Sequence, residues 1–269
     1  MTREPEITDS HCHLDFPDFE GQLDEIIARA GRAGVTRMVT ICTRLRNEPA
    51  VRAIAEAHAP VFYAAGTHPM SAAEEPMLTV DELVALARHP KFVGIGETGL
   101  DYHYTADSAE VQKQSLRIHI AAARETGLPL IIHARAADED MARILTEEYR
   151  NGAYTCVMHC FSSGPELARA ALDLGFYLSM SGIATFPKSQ EVRDIFAAAP
   201  VDRILVETDA PYLAPPAAPG QAQRTGLCRA HRPQGGRDFF GMDYAEFAAR
   251  TQANFERLFA KAAGWRVAA

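Results

Sequence analysis

Eight short apolar runs recur along the chain, at 7–13, 37–43, 61–67, 92–97, 130–133, 156–159, 176–181 and 204–209. Near-continuous Val/Ile/Leu runs of this length belong to strands covered on both faces, as in a parallel sheet. The segments between them carry apolar residues at three- and four-residue spacing, the signature of one buried helix face. Within 19–33, Leu23, Ile26, Ile27 and Ala30 share a face that stops at Gly34. Within 108–126, Val111, Leu116, Ile120 and Ala123 do the same before Gly127-Leu-Pro129. Met141, Ile144, Leu145 and Tyr149 precede Gly152, and Leu167, Ala170, Ala171 and Leu174 precede Gly175. Strands alternating with such helices are βαβ units. Eight units in 269 residues fit an α/β fold of the (β/α)8 TIM-barrel type. A doubly wound open sheet is the alternative, but no G-x-G-x-x-G follows the first run. With no repeat or linker before the tail, residues 1–269 read as one domain.

Five runs end in groups that bind metals. The first ends in Asp9-Ser10-His11-Cys12-His13, the fourth in Glu97, the fifth in His133, the sixth in His159 and the last in Asp209. In a parallel barrel the C-terminal tips of the strands hold the active site. His11 and His13 stand two apart on a strand, so both imidazoles point to one face. His133 and His159 add nitrogen donors, and Glu97 and Asp209 add oxygen. Each alone has a plainer reading, since a single histidine in an apolar run is more often a hydrogen-bonded core residue. Buried carboxylates are costly unless paired or metal-bound, and taken together the six point to ligation. Six donors exceed a closed four-coordinate zinc site. They suit two divalent ions roughly 3.5–4 Å apart, bridged by a carboxylate and a hydroxide. Glu97 is the expected bridge, and Asp209 the expected proton acceptor from the attacking water. Mixed imidazole and carboxylate donors suit zinc and manganese, and magnesium less well.

His68, in Gly66-Thr-His-Pro69, ends the third run and is either a contact near substrate or a loop residue. His103, in Asp101-Tyr-His-Tyr104, follows Glu97 on the same loop. His58, His89, His119 and His231 sit in helical or loop contexts and are expected at the surface or at caps. Cys12 and Cys160 flank ligands, but strand alternation turns them to the other face, where they pack.

The net charge of -8 argues against a DNA-coating or polybasic membrane-surface protein. It leaves a phosphate substrate open, because bound cations reverse the local field. No stretch approaches the about 18 apolar residues of a membrane span. The sequence enters its first strand without a signal-peptide core. With five scattered cysteines, reduced thiols and a cytoplasmic location are expected. No obligate protein partner is evident.

The motifs Asp9-Ser-His-Cys-His-Leu-Asp15, Gly66-Thr-His-Pro69, Gly94-Ile-Gly-Glu-Thr-Gly-Leu-Asp101, Pro129-Leu-Ile-Ile-His-Ala-Arg135, His159-Cys-Phe-Ser162 and Glu207-Thr-Asp-Ala-Pro-Tyr212 occur in that order. In these the sequence resembles the TatD family of metal-dependent hydrolases, among the amidohydrolase-like barrels. The resemblance covers about residues 7 to 213. It implies a metal-dependent deoxyribonuclease of 3′–5′ exonuclease type, using two divalent ions (zinc, manganese or magnesium) and acting on DNA at single-stranded ends. By position it implies His11, His13, Glu97, His133, His159 and Asp209 as ligands, and His68, His103 and Arg135 near the substrate. Two competing functions stand beside it. One is hydrolysis of a carboxylic ester or amide, such as D-aminoacyl-tRNA deacylation; the other is a catalytically weakened, metal-stabilised scaffold.

The chain departs from the family after Tyr212-Leu-Ala-Pro215. Members usually continue with a basic loop of the form HRGKRNEPAYV. Here the sequence runs from Pro216 to Gly236 with neither that motif nor apolar periodicity. A divergent loop is the plain reading. A frameshift is the sharper one. With codons GCA-CCG-GGG-CAA-GCG for Ala218 to Ala222, the next frame reads CAC-CGG-GGC-AAG, or HRGK. Permissible codons through Pro233 extend it to HRGKRNEPAYVAHTA. Two compensating indels would thus have scrambled roughly 217–237, and the nucleotide sequence decides the matter. A basic loop beside the last strand is a phosphate clamp in chemical terms. Its loss should weaken substrate binding and leave the ligands intact.

Overall fold

The computed structural model describes residues 5–213 and 241–264. The atypical segment 217–237 lies outside them, as do His231 and Cys228. The strands are β1 (Ile7–Cys12), β2 (Val35–Cys42), β3 (Val61–Ala65), β4 (Phe92–Asp101), β5 (Leu130–Arg135), β6 (Cys156–Met158), β7 (Tyr177–Met180) and β8 (Ile204–Val206). The helices are α1 (Leu23–Arg32), α2 (Glu48–Ala57), α3 (Val80–Leu86), α4 (Ala109–Thr126), α5 (Asp138–Arg150), α6 (Pro165–Asp173), α7 (Gln190–Ala198), α8 (Tyr244–Leu258) and α9 (Ala260–Ala263). The strands pair in sequence order, all parallel, giving the expected eight-stranded barrel ringed by helices. Among the described residues no helix is long and apolar enough to cross a membrane.

Helix faces follow the sequence pattern. Ile26, Ile27 and Ala30 of α1 are buried, as are Met141, Ile144 and Leu145 of α5. Inside the barrel, Val39, Ile41, Phe62, Val93, Ile131, Val157 and Leu205 join Phe255, Leu258, Phe259 and Ala262 in one apolar cluster. α8 and α9 therefore plug the mouth where the strands begin. Arg37, near the start of β2, is 2% exposed and fixes this plug. It donates to the Ala262 carbonyl (3.1 Å) and to Glu256 (2.7 Å), and its guanidinium lies 5.2 Å from the Phe255 ring. A buried cation needs such partners.

The seam between β8 and β1 is closed largely by groups on these two strands and just after them. Asp209 N–H donates to the His11 carbonyl (2.9 Å), and His13 N–H to the Ala210 carbonyl (2.8 Å). Ser10 Oγ donates to the Val206 carbonyl (3.0 Å). Asp9 accepts from Thr208 N–H (3.0 Å) and from Thr208 Oγ1 (2.7 Å).

Strand ends differ from the apolar runs. β4 continues past Glu97 to Asp101, so Glu97 sits inside the strand and not at its tip. The continuation needs glycine at 99, where φ is +143° and a β-carbon would overlap the His133 carbonyl oxygen. β6 and β8 stop short of His159 and Asp209, which begin the following loops.

Candidate metal centre

The six expected donors converge at the C-terminal mouth, opposite the plug. Glu97, 2% exposed, is at the middle of them. Its Oε2 lies 3.4 Å from His11 Nε2. Its Oε1 lies 3.3 Å from His133 Nδ1 and 3.0 Å from His159 Nε2. Asp209 Oδ1 is 3.2 Å from His13 Nε2 and 3.8 Å from His11 Nε2. The imidazoles of His11 and His159 stack at 3.7 Å. Donor atoms close enough to share one ion occur as His11–His13–Glu97 and as His68–Glu97–His133. A third such group, His11–His159–Glu207, includes a carboxylate absent from the sequence-derived set.

The partner behind each ring tells which nitrogen faces inward with a lone pair. His13 Nδ1 meets the Ile41 carbonyl (3.3 Å), an acceptor, so that nitrogen carries the proton. His133 Nε2 donates to Asp101 (3.0 Å) and His159 Nδ1 to Glu207 (3.0 Å). In each case the opposite nitrogen is left as a donor of electrons toward the centre. A carboxylate or carbonyl behind a ligating imidazole is the usual support of a metal-binding histidine. Both ring nitrogens of His11, including the Nε2 that faces Glu97 and Asp209, are buried with no hydrogen-bond partner among the described residues. Burying a polar atom without a partner is costly. A cation-binding role for this cluster accounts for the cost, and the donors present fit divalent ions.

His68 is wired the other way. Its Nδ1 accepts from Met70 N–H (3.2 Å), so in the neutral ring Nε2 carries the proton, 3.2 Å from Glu97 Oε1. It enters the centre as a hydrogen-bond donor to Glu97. His103 and Arg135 are exposed on the rim. The Arg135 guanidinium lies 4.7 Å from the Tyr104 ring, and His103 packs edge-on against the same ring.

Electrostatics follow from burial and crowding. Burial pushes the Glu97 carboxyl up, but His159, His68, His11 and His133 outweigh it and hold it well below the usual range. Burial also pushes Asp209 up, and its hydrogen bond to His13 with the charges of His159, His13 and His11 brings it below. His159 is held well above the ordinary imidazole range because Glu97 and Glu207 outweigh its burial. His11 moves down, through burial and then the charge of His159. Asp9, behind His11, is raised to about 7 by burial, against the hydrogen bonds from Thr208 and His11. Three residues after strand ends, Ala136 (φ +53°), Cys160 (φ +45°) and Asp209 (φ +57°), adopt left-handed backbone. Such conformations cost energy and collect at functional sites.

Three residues fall outside the sequence reading. Glu207 and Asp101 support the inner imidazoles; Glu207 stands two before Asp209, the same spacing as His11 and His13. His119, expected at the surface or at a cap, is fully buried in α4. Its Nδ1 donates to the Ser115 carbonyl (2.8 Å), and its Nε2 accepts from Thr67 N–H (3.1 Å). It is a strut under the loop that presents His68. Cys12 packs in the outer core as expected, while Cys160, half-buried, lies 3.1 Å from Ser181 Oγ.

The chain is similar to known proteins over nearly its whole length. The uncharacterized metal-dependent hydrolase YcfH of Escherichia coli K12 is 37% identical over 256 residues, spanning 94% of this chain and 95% of its own. The uncharacterized metal-dependent hydrolase YabD of Bacillus subtilis 168 is 35% identical, spanning 93% and 98%. The crystal structure of YjjV, a TatD homolog from Escherichia coli K12, superimposes with a TM-score of 0.84 at 28% identity, covering 94% of this chain and 98% of that one. The TatD family hydrolase of Entamoeba histolytica, at 20% identity and a TM-score of 0.82, shares the fold over 96% and 99%. The profile of the TatD related DNase family matches residues 8–260, from the strand that carries His11 and leads into His13 to the helices that plug the barrel. With barrel, motif order and donor cluster in agreement, the chain belongs to the TatD related DNase family.

Proposed function

We propose that this protein is a metal-dependent hydrolase that cleaves phosphodiester bonds of DNA, working from 3′ single-stranded ends. The observation that carries the reading is Glu97, whose two oxygens face different imidazoles, Oε2 toward His11 and Oε1 toward His133 and His159. His11, His13, Glu97, His133, His159 and Asp209 would hold two divalent ions, zinc, manganese or magnesium. Bound there, such ions supply a hydroxide near neutrality and offset the charge of a phosphodiester.

The chain's own groups complete the chemistry. Asp209, held ionised by its neighbours and 15% exposed at the mouth, would take the proton of the attacking water. Glu97, almost fully enclosed, serves as a ligand and not as a proton carrier to solvent. His68, near the substrate, gives its Nε2–H to Glu97 Oε1 and so orients that carboxylate. Arg135 supplies a positive charge on the rim, suited to the substrate phosphate or its neighbour.

The test is digestion of a 3′-labelled single-stranded oligonucleotide with magnesium, manganese or zinc, beside Asp209→Ala. Cleavage should require metal and fall by about 100-fold or more in the variant, the usual scale for losing a general base. Turnover of D-aminoacyl-tRNA or carboxylic esters without DNA cleavage would move the assignment to that chemistry. Bound metal without any turnover would leave a scaffold.

A further inference from the structure

Among the described residues, the large apolar side chains exposed to solvent are Met70, Met77, Tyr104 and Tyr212. All four sit on loops that leave the C-terminal ends of β3, β4 or β8, on the face that carries the donor cluster. Two of them are aromatic rings beside the reaction centre, the kind of group on which bases stack in single-strand binding. The two tyrosines are the most exposed, Tyr104 at 58% and Tyr212 at 53%. They are separated, since β4 and β8 lie on opposite sides of an eight-stranded barrel taken in sequence order.

Each ring is backed by a second group. Tyr212 meets Phe16 edge-on, with centroids 5.7 Å apart. Phe16 in turn lies nearly parallel to His13 at 4.8 Å. A ladder of rings therefore runs from a donor of the centre out to the rim. On the far side, the Arg135 guanidinium sits against Tyr104, joining a flat surface to a positive charge. Two separate plates flanking one reaction centre suit two flat ligands joined by an anionic link, and do not form the contiguous apolar patch of a protein interface.

We propose that Tyr212 and Tyr104 are stacking platforms for the unpaired nucleobases on either side of the cleaved phosphodiester. The inference rests on the nuclease reading for its scissile bond. It makes the substrate a single strand, because paired bases do not offer free faces. Stacking on aromatic side chains is tolerant of sequence, so all four bases should be accepted. Arg135 would hold a phosphate beside the base on Tyr104.

The measurement is the fluorescence of 2-aminopurine at each of the last two 3′ positions of a short single-stranded oligonucleotide, recorded on mixing with metal-loaded protein. Wild type should quench both positions. Tyr212→Leu and Tyr104→Leu should each abolish the quench at one position and weaken binding about 5- to 100-fold, the range for losing one stacked base. An oligonucleotide abasic at those positions should bind as weakly to wild type as to the variants. Equal affinity for the abasic strand, or variants that bind and quench like wild type, would overturn the platforms. So would a wild type that self-associates through the rim, with the tyrosine variants monomeric and no dependence on bases. Quenching without cleavage in any metal keeps the platforms and removes the nuclease reading; cleavage indifferent to bases does the reverse.

Discussion

At His13, His133 and His159 the decisive atom is the one behind the ring. Asp101 and Glu207 are acceptors for His133 and His159, and they fix both the tautomer and the orientation of the inward nitrogen. Removing such a support commonly weakens metal binding about 10- to 100-fold. Asp101→Ala and Glu207→Ala should each show that loss in competition with a fluorescent chelator, with far-UV circular dichroism unchanged. Wild-type affinity in both would mean the carboxylates do not orient the ligands. The inner donors were legible because imidazole and carboxylate are conspicuous at the ends of apolar runs. Glu207 was legible in principle, standing two residues before Asp209 in the same short motif. Asp101 was not, since the pattern gave no sign that β4 continues through Thr98 and Gly99. His68 was half legible: its position could be read, but its role depends on a backbone N–H from Met70 that no sequence displays.

Among the elements, the contact between α4 and the end of β3 carries the most testable energetics. His119 spans it, and a β-carbon on Gly66 would come within 2.8 Å of Gly96 Cα and 2.9 Å of His119 Nε2. The loop bearing His68 thus rests on a close approach of three elements. Burial lowers the His119 pKa from 6.5 to about 4. Between those values the unfolded chain binds a proton that the folded chain does not, so stability falls as the medium becomes more acid. From pH 7 to pH 5 this group should remove about 2 kcal/mol, at about 1.4 kcal/mol per pH unit below 6.5. Urea titrations at the two pH values should show that slope in wild type and a flatter one in His119→Gln. Identical slopes would mean that His119 is not buried neutral. The helix pattern did hold a clue, since His119 is three residues after Leu116 and four before Ala123, on the buried face. Strand existence was readable from apolarity alone. Strand ends were not, because they are set by pairing with a neighbour, as where β4 runs on beside His133, Ala134 and Arg135.

As a whole molecule, the barrel separates its two mouths: α8, α9 and Arg37 seal one, and the donor cluster occupies the other. The count of eight strands announced the barrel, but the tail helices' role as a plug depends on long-range packing that periodicity does not encode. Cation binding to the folded state alone adds stability by mass action, about 2.7 kcal/mol at a hundred times Kd. For a chain of this size that corresponds to a rise in Tm of roughly 5–10 °C. Thermal unfolding of metal-stripped protein with and without zinc or manganese measures it, and an unchanged Tm would argue against a cation in the cluster. The seam gives this stabilisation a location. His13 and Asp209, 196 positions apart, come from opposite sides of it. A cation gripped by both would act as the clasp of a bracelet, holding together two strands whose backbone pairing is an isolated bridge at Cys12 and Ala210. Hydrogen exchange should then slow on metal loading chiefly at 8–13 and 206–211, leaving the plugged mouth unaffected. Chelation would in that case do two things at once, silencing the chemistry and unfastening the barrel at the place where its first and last strands meet.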